Sequence, residues 1–220
     1  EGVGSMLDNI LAVAALISSR AYIATLGSKE GGDRLHYVLK PLTTLLIAGI
    51  AFVIPVPVSD TYRWLVILGL LLSLAGDVFL MLPDDRYFIF GLAAFLVAHL
   101  FYIGAYRSRG GFGFTWWLAL VYLAYAVTLV YLLWPSIADV RIPVLVYAAV
   151  LMVMGWQAAE MWITWSDLSA LAAMLGGIFF LLSDSTLALN RFRAPIRQSS
   201  IIVMSTYWAA QLLIAWSVRA

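Results

Sequence analysis

Asp77 and Asp184 stand in segments that are otherwise apolar and long enough to cross a membrane. Asp77 interrupts the run from Leu68 to Leu80, and Asp184 closes the run from Gly176 to Ser183. A charge at bilayer depth costs about 2.5–3.5 kcal/mol on insertion scales, so a carboxylate kept there faces a polar interior. Two carboxyl groups in unequal surroundings can divide acid and base roles, because burial favours the protonated form and a nearby cation the ionised one. The chemistry that this pair suits is acid–base catalysis on a substrate that reaches membrane depth.

Other polar residues fall at matching depths. Lys40 opens the second apolar run, Tyr147 lies near the start of the sixth, and Tyr207 and Gln211 occupy the first two-thirds of the eighth. Asp77 and Asp184 come late in the third and seventh runs. Because helix direction alternates, late positions on odd spans and early ones on even spans meet at one end. The expectation is one polar cavity opening toward one leaflet. His99 sits near the middle of the fourth run, and Gly91, Phe95, His99 and Tyr102 recur at helical spacing along one stripe. Tyr207 and Gln211 share a face, as do Gly177 and Asp184. Glycines beside the polar residues let helices approach closely.

Each residue also has an ordinary reading. Buried Asp–Lys or Asp–His pairs can hold a bundle together without chemistry. His99 is as readily a satisfied core imidazole as a catalyst, the tyrosines can be hydrogen-bonding struts, and Lys40 can snorkel to the interface. Glu160 and Asp167 read as interfacial, as do most of the nine tryptophans. The coincidence of depths is what favours a site.

The elements that must position these groups follow from composition. Of 220 residues, 64% are hydrophobic and 11% charged, with a mean hydropathy of +0.96. A soluble domain carries about 25% charged residues. This is the composition of an integral membrane protein, and a net charge of +1 offers no basic field for nucleic acid. Runs long enough for a helical span occur at approximately 8–27, 37–55, 62–82, 87–106, 114–134, 143–163, 168–189 and 199–218. The first, followed by seven more, reads as a span and not as a cleaved signal, although Arg20 lies inside it. The breaks carry turn residues: Gly31-Gly32-Asp33, Pro55-Val56-Pro57, Pro83-Asp84-Asp85, Gly110-Gly111, Trp134-Pro135 and Arg193-Ala194-Pro195. The runs are too long and too uniformly apolar for barrel strands. The expected fold is therefore all-α, a compact bundle of eight transmembrane helices forming one membrane domain over residues 1–220. Lys29, Arg34, Lys40, Arg86, Arg141, Arg191, Arg193 and Arg197 gather on the side opposite the termini, which the positive-inside rule places in the cytoplasm.

Several chemistries lack their residues. There is no Gly-x-Ser-x-Gly elbow and no phosphate-binding glycine loop. With two histidines and no cysteine, a three-histidine zinc site is impossible, and a mixed His/Asp site has no ligand-spacing signature.

Taken in order, these residues resemble a known family. Lys40-Pro41, Gly76-Asp77-Val78-Phe79-Leu80, the stripe from Phe90-Gly91 through Phe95 and His99 to Tyr102, and Pro143 with Tyr147 lead to the most specific stretch, Gly177 to Phe192, which ends in Ser183-Asp184-Ser185-Thr186-Leu187-Ala188-Leu189-Asn190-Arg191-Phe192. Met204-Ser205-Thr206-Tyr207-Trp208-Ala209-Ala210-Gln211 completes the pattern. The chain resembles the lysoplasmalogenases, the YhhN-type multi-pass membrane hydrolases, from its second span to its eighth, while the first span carries no matching motif. The resemblance implies eight transmembrane helices, no obligate metal or organic cofactor, and Asp77 and Asp184 as catalytic residues. It implies a lysophospholipid substrate, whose vinyl ether bond is hydrolysed to a fatty aldehyde and glycerophosphoethanolamine or glycerophosphocholine. Lys40 and Arg191 are then placed to bind the phosphate, Asn190 lies in the same motif, and His99, Tyr147, Tyr207 and Gln211 would orient water or a carboxyl. Which aspartate gives the proton stays open at this level. The alternative is a small proton-coupled transporter or lipid carrier, since buried carboxylates also relay protons.

Overall fold

Long apolar runs fold as helices in a bilayer because no water is present to satisfy the backbone. A computed structural model, which describes residues 2–26, 32–84 and 86–220, has eight long helices. They are α1 (Gly2–Thr25), α2 (Gly32–Val53), α3 (Asp60–Met81), α4 (Arg86–Gly110), α5 (Trp116–Leu133), α6 (Arg141–Trp165), α7 (Leu168–Ala188) and α8 (Ser199–Trp216). Within the described residues all eight contain a stretch long and apolar enough to cross a membrane. Gly31, Lys29 and Asp85 lie outside the described residues. Gly32 and Asp33, expected in a turn, form the start of α2. That early start changes the depth of Lys40, which lies two turns inside the helix and not at its mouth.

Close approach of helices is set by glycine against large side chains. A Cβ on Gly69 would fall 2.3 Å from the Tyr102 ring, and one on Gly76 would fall 2.6 Å from the Phe95 ring. The two glycines and the two aromatics are each seven residues apart, so antiparallel α3 and α4 interlock along one seam. Gly176 abuts Ile214 and the Ala210 carbonyl of α8, while the Cβ position of Gly177 lies 3.3 Å from Ala158 and the Gly155 Cα of α6. Asp77 follows the first seam directly, and Asp184 lies two turns beyond the second.

The end carrying the C-terminus is closed by polar straps. Glu160, expected at the interface, is 4% exposed. Its carboxylate accepts from Thr115 N at 2.6 Å, Thr115 Oγ1 at 2.9 Å and Trp156 Nε1 at 2.7 Å. Gln157 clamps Gly113 by bonds to its N–H and C=O, both 3.1 Å. The α4–α5 connection is therefore folded onto α6, which desolvates Glu160. Arg109 bonds Asp167 at 2.5 Å and stacks 4.8 Å from the Trp165 ring. Asp167 caps α7 by accepting from Ala170 N. The chain end runs back along the α2–α3 connection, with Val58 N donating to Val218 O at 2.8 Å and Arg219 pairing with Asp8.

Candidate active site

The opposite end is built differently. A partly open cavity of about 240 Å³ is walled by α1, α3, α4, α5, α6, α7 and α8 together with Lys40 of α2. Asp77, Asp184, Lys40, Tyr147, Tyr207, Asn190 and Arg191 all line it. These seven of the ten sequence-derived candidates come together in one space.

Asp77 is 1% exposed and every bond it makes is from a donor. Lys40 Nζ lies 3.2 Å from Oδ1, while Oδ2 accepts from Thr44 Oγ1 at 2.7 Å and Tyr207 Oη at 2.8 Å. One ammonium and two hydroxyls are the partners of an ionised carboxylate. Lys40 is 7% exposed and therefore paired, not snorkelling. Pro41, having no N–H, leaves the Tyr37 carbonyl of α2 without its usual donor one turn below Lys40.

Asp184 has a thinner shell. It is half-buried, and Tyr147 Oη donates to its Oδ2. Within the described residues no Lys, Arg or His pairs with it. Its neighbours in the wall are largely apolar, including Leu187, Leu151 and Ala148. Two carboxyl groups thus share a cavity with one strongly compensated charge between them.

The remaining candidates are placed apart from the cavity. His99 is fully buried, and neither ring nitrogen has a hydrogen-bond partner among the described residues. It packs edge-on against Phe180 at 4.6 Å and Tyr147 at 5.4 Å, so it bears on Asp184 only through the tyrosine. Tyr102 Oη donates to Gln211 Oε1 at 2.7 Å and lies 3.4 Å from Ser73 Oγ. These three side chains form a layer beneath the cavity, joined to it by Phe95, Phe180 and Tyr207.

Beyond α7 the backbone widens into a π-helical turn, Leu189–Arg193. Such turns insert one residue per turn and recur at functional sites. Here the turn carries Asn190 and Arg191. Asn190 Oδ1 accepts from Ile196 N at 2.9 Å, tying down the α7–α8 connection, and Arg191 lies 4.4 Å from the Phe88 ring.

Three features of the site escaped sequence reading. Thr44 is one turn from Lys40 on the same face, a spacing that could have flagged it. Tyr22 of α1 lines the cavity, braced by His36 at 4.7 Å and Trp208 at 5.1 Å. Ser199 and Ser200 reach it from the start of α8 and carry no signal beyond their position.

Comparison with known proteins agrees with the resemblance. The YhhN family model matches residues 35–218. The uncharacterized membrane protein YhhN of Escherichia coli O157:H7 is 30% identical over 198 residues, 90% of this chain and 94% of that protein. Lysoplasmalogenase TMEM86A of Homo sapiens is 36% identical over 79% of this chain and 71% of its own length, and lysoplasmalogenase TMEM86B of Homo sapiens is 34% identical over 82% and 74%. No solved structure matches the chain. An eight-helix membrane architecture, a family match over most of the chain and relatives of this similarity lead to one conclusion: this chain is a member of the YhhN family of integral membrane proteins.

Proposed function

We propose that this protein is a lysoplasmalogenase, a hydrolase of the vinyl ether bond of 1-alkenyl lysophospholipids, with Asp184 as the proton donor and Asp77 as the ionised carboxylate. The names of its TMEM86A and TMEM86B relatives support the activity. The observation that carries the division of roles is the contrast in partners: Asp77 has Lys40, Thr44 and Tyr207, and Asp184 has Tyr147 and no cation.

A vinyl ether resists hydroxide and yields to acid. In the first step Asp184 gives its proton to the alkene carbon distant from oxygen, and the π electrons shift to leave an oxocarbenium ion. The negative charge left on Asp184, with that of Asp77 nearby, stabilises the cation. Water then adds to the carbon bonded to oxygen and returns a proton to Asp184. The hemiacetal collapses, its hydroxyl proton passing to the glycerol oxygen as the C–O bond to glycerol breaks, so one water is consumed and a fatty aldehyde and a glycerophospho-alcohol leave. Glycosidases meet a related oxocarbenium problem with two carboxyl groups. Tyr147 and Tyr207 hold the two carboxyls in place. Lys40 and Arg191 suit the phosphate, and the apolar wall of Leu80, Leu92, Leu129 and Leu133 suits the alkenyl chain. The excess of basic loop residues at this end puts the opening on the cytoplasmic side.

The test compares purified protein on 1-alkenyl and 1-acyl lysophosphatidylethanolamine in deuterated water. The expected result is long-chain aldehyde from the alkenyl lipid alone, carrying one deuterium on the carbon next to the carbonyl. Fatty acid from the acyl lipid, with no aldehyde from the alkenyl one, overturns the reading.

A further inference from the structure

On the outside of the bundle, away from the cavity, α1, α2 and α8 frame a groove of about 270 Å³ that the reaction does not use. Its polarity is graded along the membrane normal. Ser19, Arg20 and Ser205 line the part nearest the cavity end together with Ile23, and Leu16, Ile47 and Leu212 line the deeper part. Arg20 lies five residues before the last residue of α1, and Leu212 thirteen residues after the first of α8. At 1.5 Å per residue, these depths are ~8 Å and ~20 Å from the helix ends. The groove therefore passes from a cationic rim to an apolar floor over about the length of half an acyl chain.

Arg20 is exposed and has no acidic partner or other hydrogen bond among the described residues. Lys40, which lies farther inside its helix than Arg20 does, is by contrast compensated by Asp77. A cation inside a span without a protein counter-ion must find its counter-charge elsewhere, and the anion present at that depth is a lipid phosphate. Trp208 forms part of the groove wall, and its buried indole N–H has no hydrogen-bond partner among the described residues.

We propose that this groove is a binding site for an anionic bilayer phospholipid, whose phosphate is held at Arg20 and whose acyl chain lies along Leu16, Ile47 and Leu212. The site stands apart from the proposed reaction. Trp208 connects the two, since its ring meets Tyr22 of the cavity wall edge-on at 5.1 Å.

Native mass spectrometry of the full chain, equilibrated with equimolar phosphatidylglycerol and phosphatidylcholine, tests this. The expected result is retention of phosphatidylglycerol about fivefold over phosphatidylcholine, the effect of one basic residue on an anionic lipid. Arg20→Gln brings the two lipids to parity. Ser205→Trp, which fills the rim and removes no charge, lowers retention of both. Arg141→Gln, an interfacial cation stacked on Trp134 at the same end, leaves the preference intact. An unchanged preference in Arg20→Gln, no preference in the wild type, or equal loss in Arg141→Gln overturns the proposal.

Discussion

The two ends of this bundle both bury carboxylates, and they do so in opposite ways. At one end Glu160 receives three short bonds from a backbone amide, a hydroxyl and an indole, and it lines none of the cavities described above. At the other, Asp77 and Asp184 open onto a shared cavity, one with a cation and two hydroxyls, the other with a single phenol. A buried carboxylate saturated by its own connection is a strap. One that lines an accessible space is available for chemistry. Burial alone does not separate the two, since Asp77 at 1% and Glu160 at 4% are nearly equal. Access to the cavity does.

Substitutions can break this contrast or sharpen it. Lys40→Met removes the cation beside Asp77 and is expected to cut turnover about 100-fold, within the range for a positioned acid–base group. Restoring the charge with Lys40→Arg recovers part of that loss, which a purely structural lesion does not. At the strap end, Glu160→Gln costs about 1–3 kcal/mol in thermal unfolding, because the substituted amide cannot accept all three bonds. Its kcat/KM stays within about twofold. Loss of turnover with stability unchanged would reverse the assignment of that end. Tyr147→Phe leaves Asp184 without its donor and lowers kcat about tenfold, about 1.4 kcal/mol, with KM unchanged.

How much of this arrangement is legible in the chain depends on whether a local or a tertiary cause sets it. The eight spans are, because length and hydropathy alone require them. The register of α1 and α2 is less so, and the earlier start of α2 carries Lys40 inward to its carboxylate. Glu160 reads as interfacial from its place near the end of a span. Its burial comes from the α4–α5 connection folding back, which no spacing announces. Tyr22 lies in the helix with no matching motif, and only three-dimensional packing brings it to the cavity wall. The widened turn at Leu189–Arg193 belongs to the same class, since it begins where the apolar run ends at 189 and no spacing marks its wider pitch.

The smallest effect concerns the surface pair beside the strap. The hydrogen bond from Arg109 holds the Asp167 carboxyl below its ordinary value of 3.8, with the α7 amide bonds assisting. A carboxyl lowered on folding contributes stability that is complete above 3.8 and fades as pH falls through its folded value. With 42% of the side chain exposed, solvent screening keeps the contribution below about 1 kcal/mol. Asp167→Asn therefore unfolds slightly below wild type at pH 7, and the gap closes under more acidic conditions. A gap that widens on acidification contradicts this sign.

The central claim is that two carboxylates sharing one cavity perform the reaction, and single-turnover release of aldehyde from 1-alkenyl lysophosphatidylethanolamine tests it most directly. Wild type is expected to form aldehyde, while Asp77→Asn and Asp184→Asn, with helicity and elution unchanged, fall at least about 100-fold. Aldehyde formed by both variants at close to the wild-type rate would contradict the account.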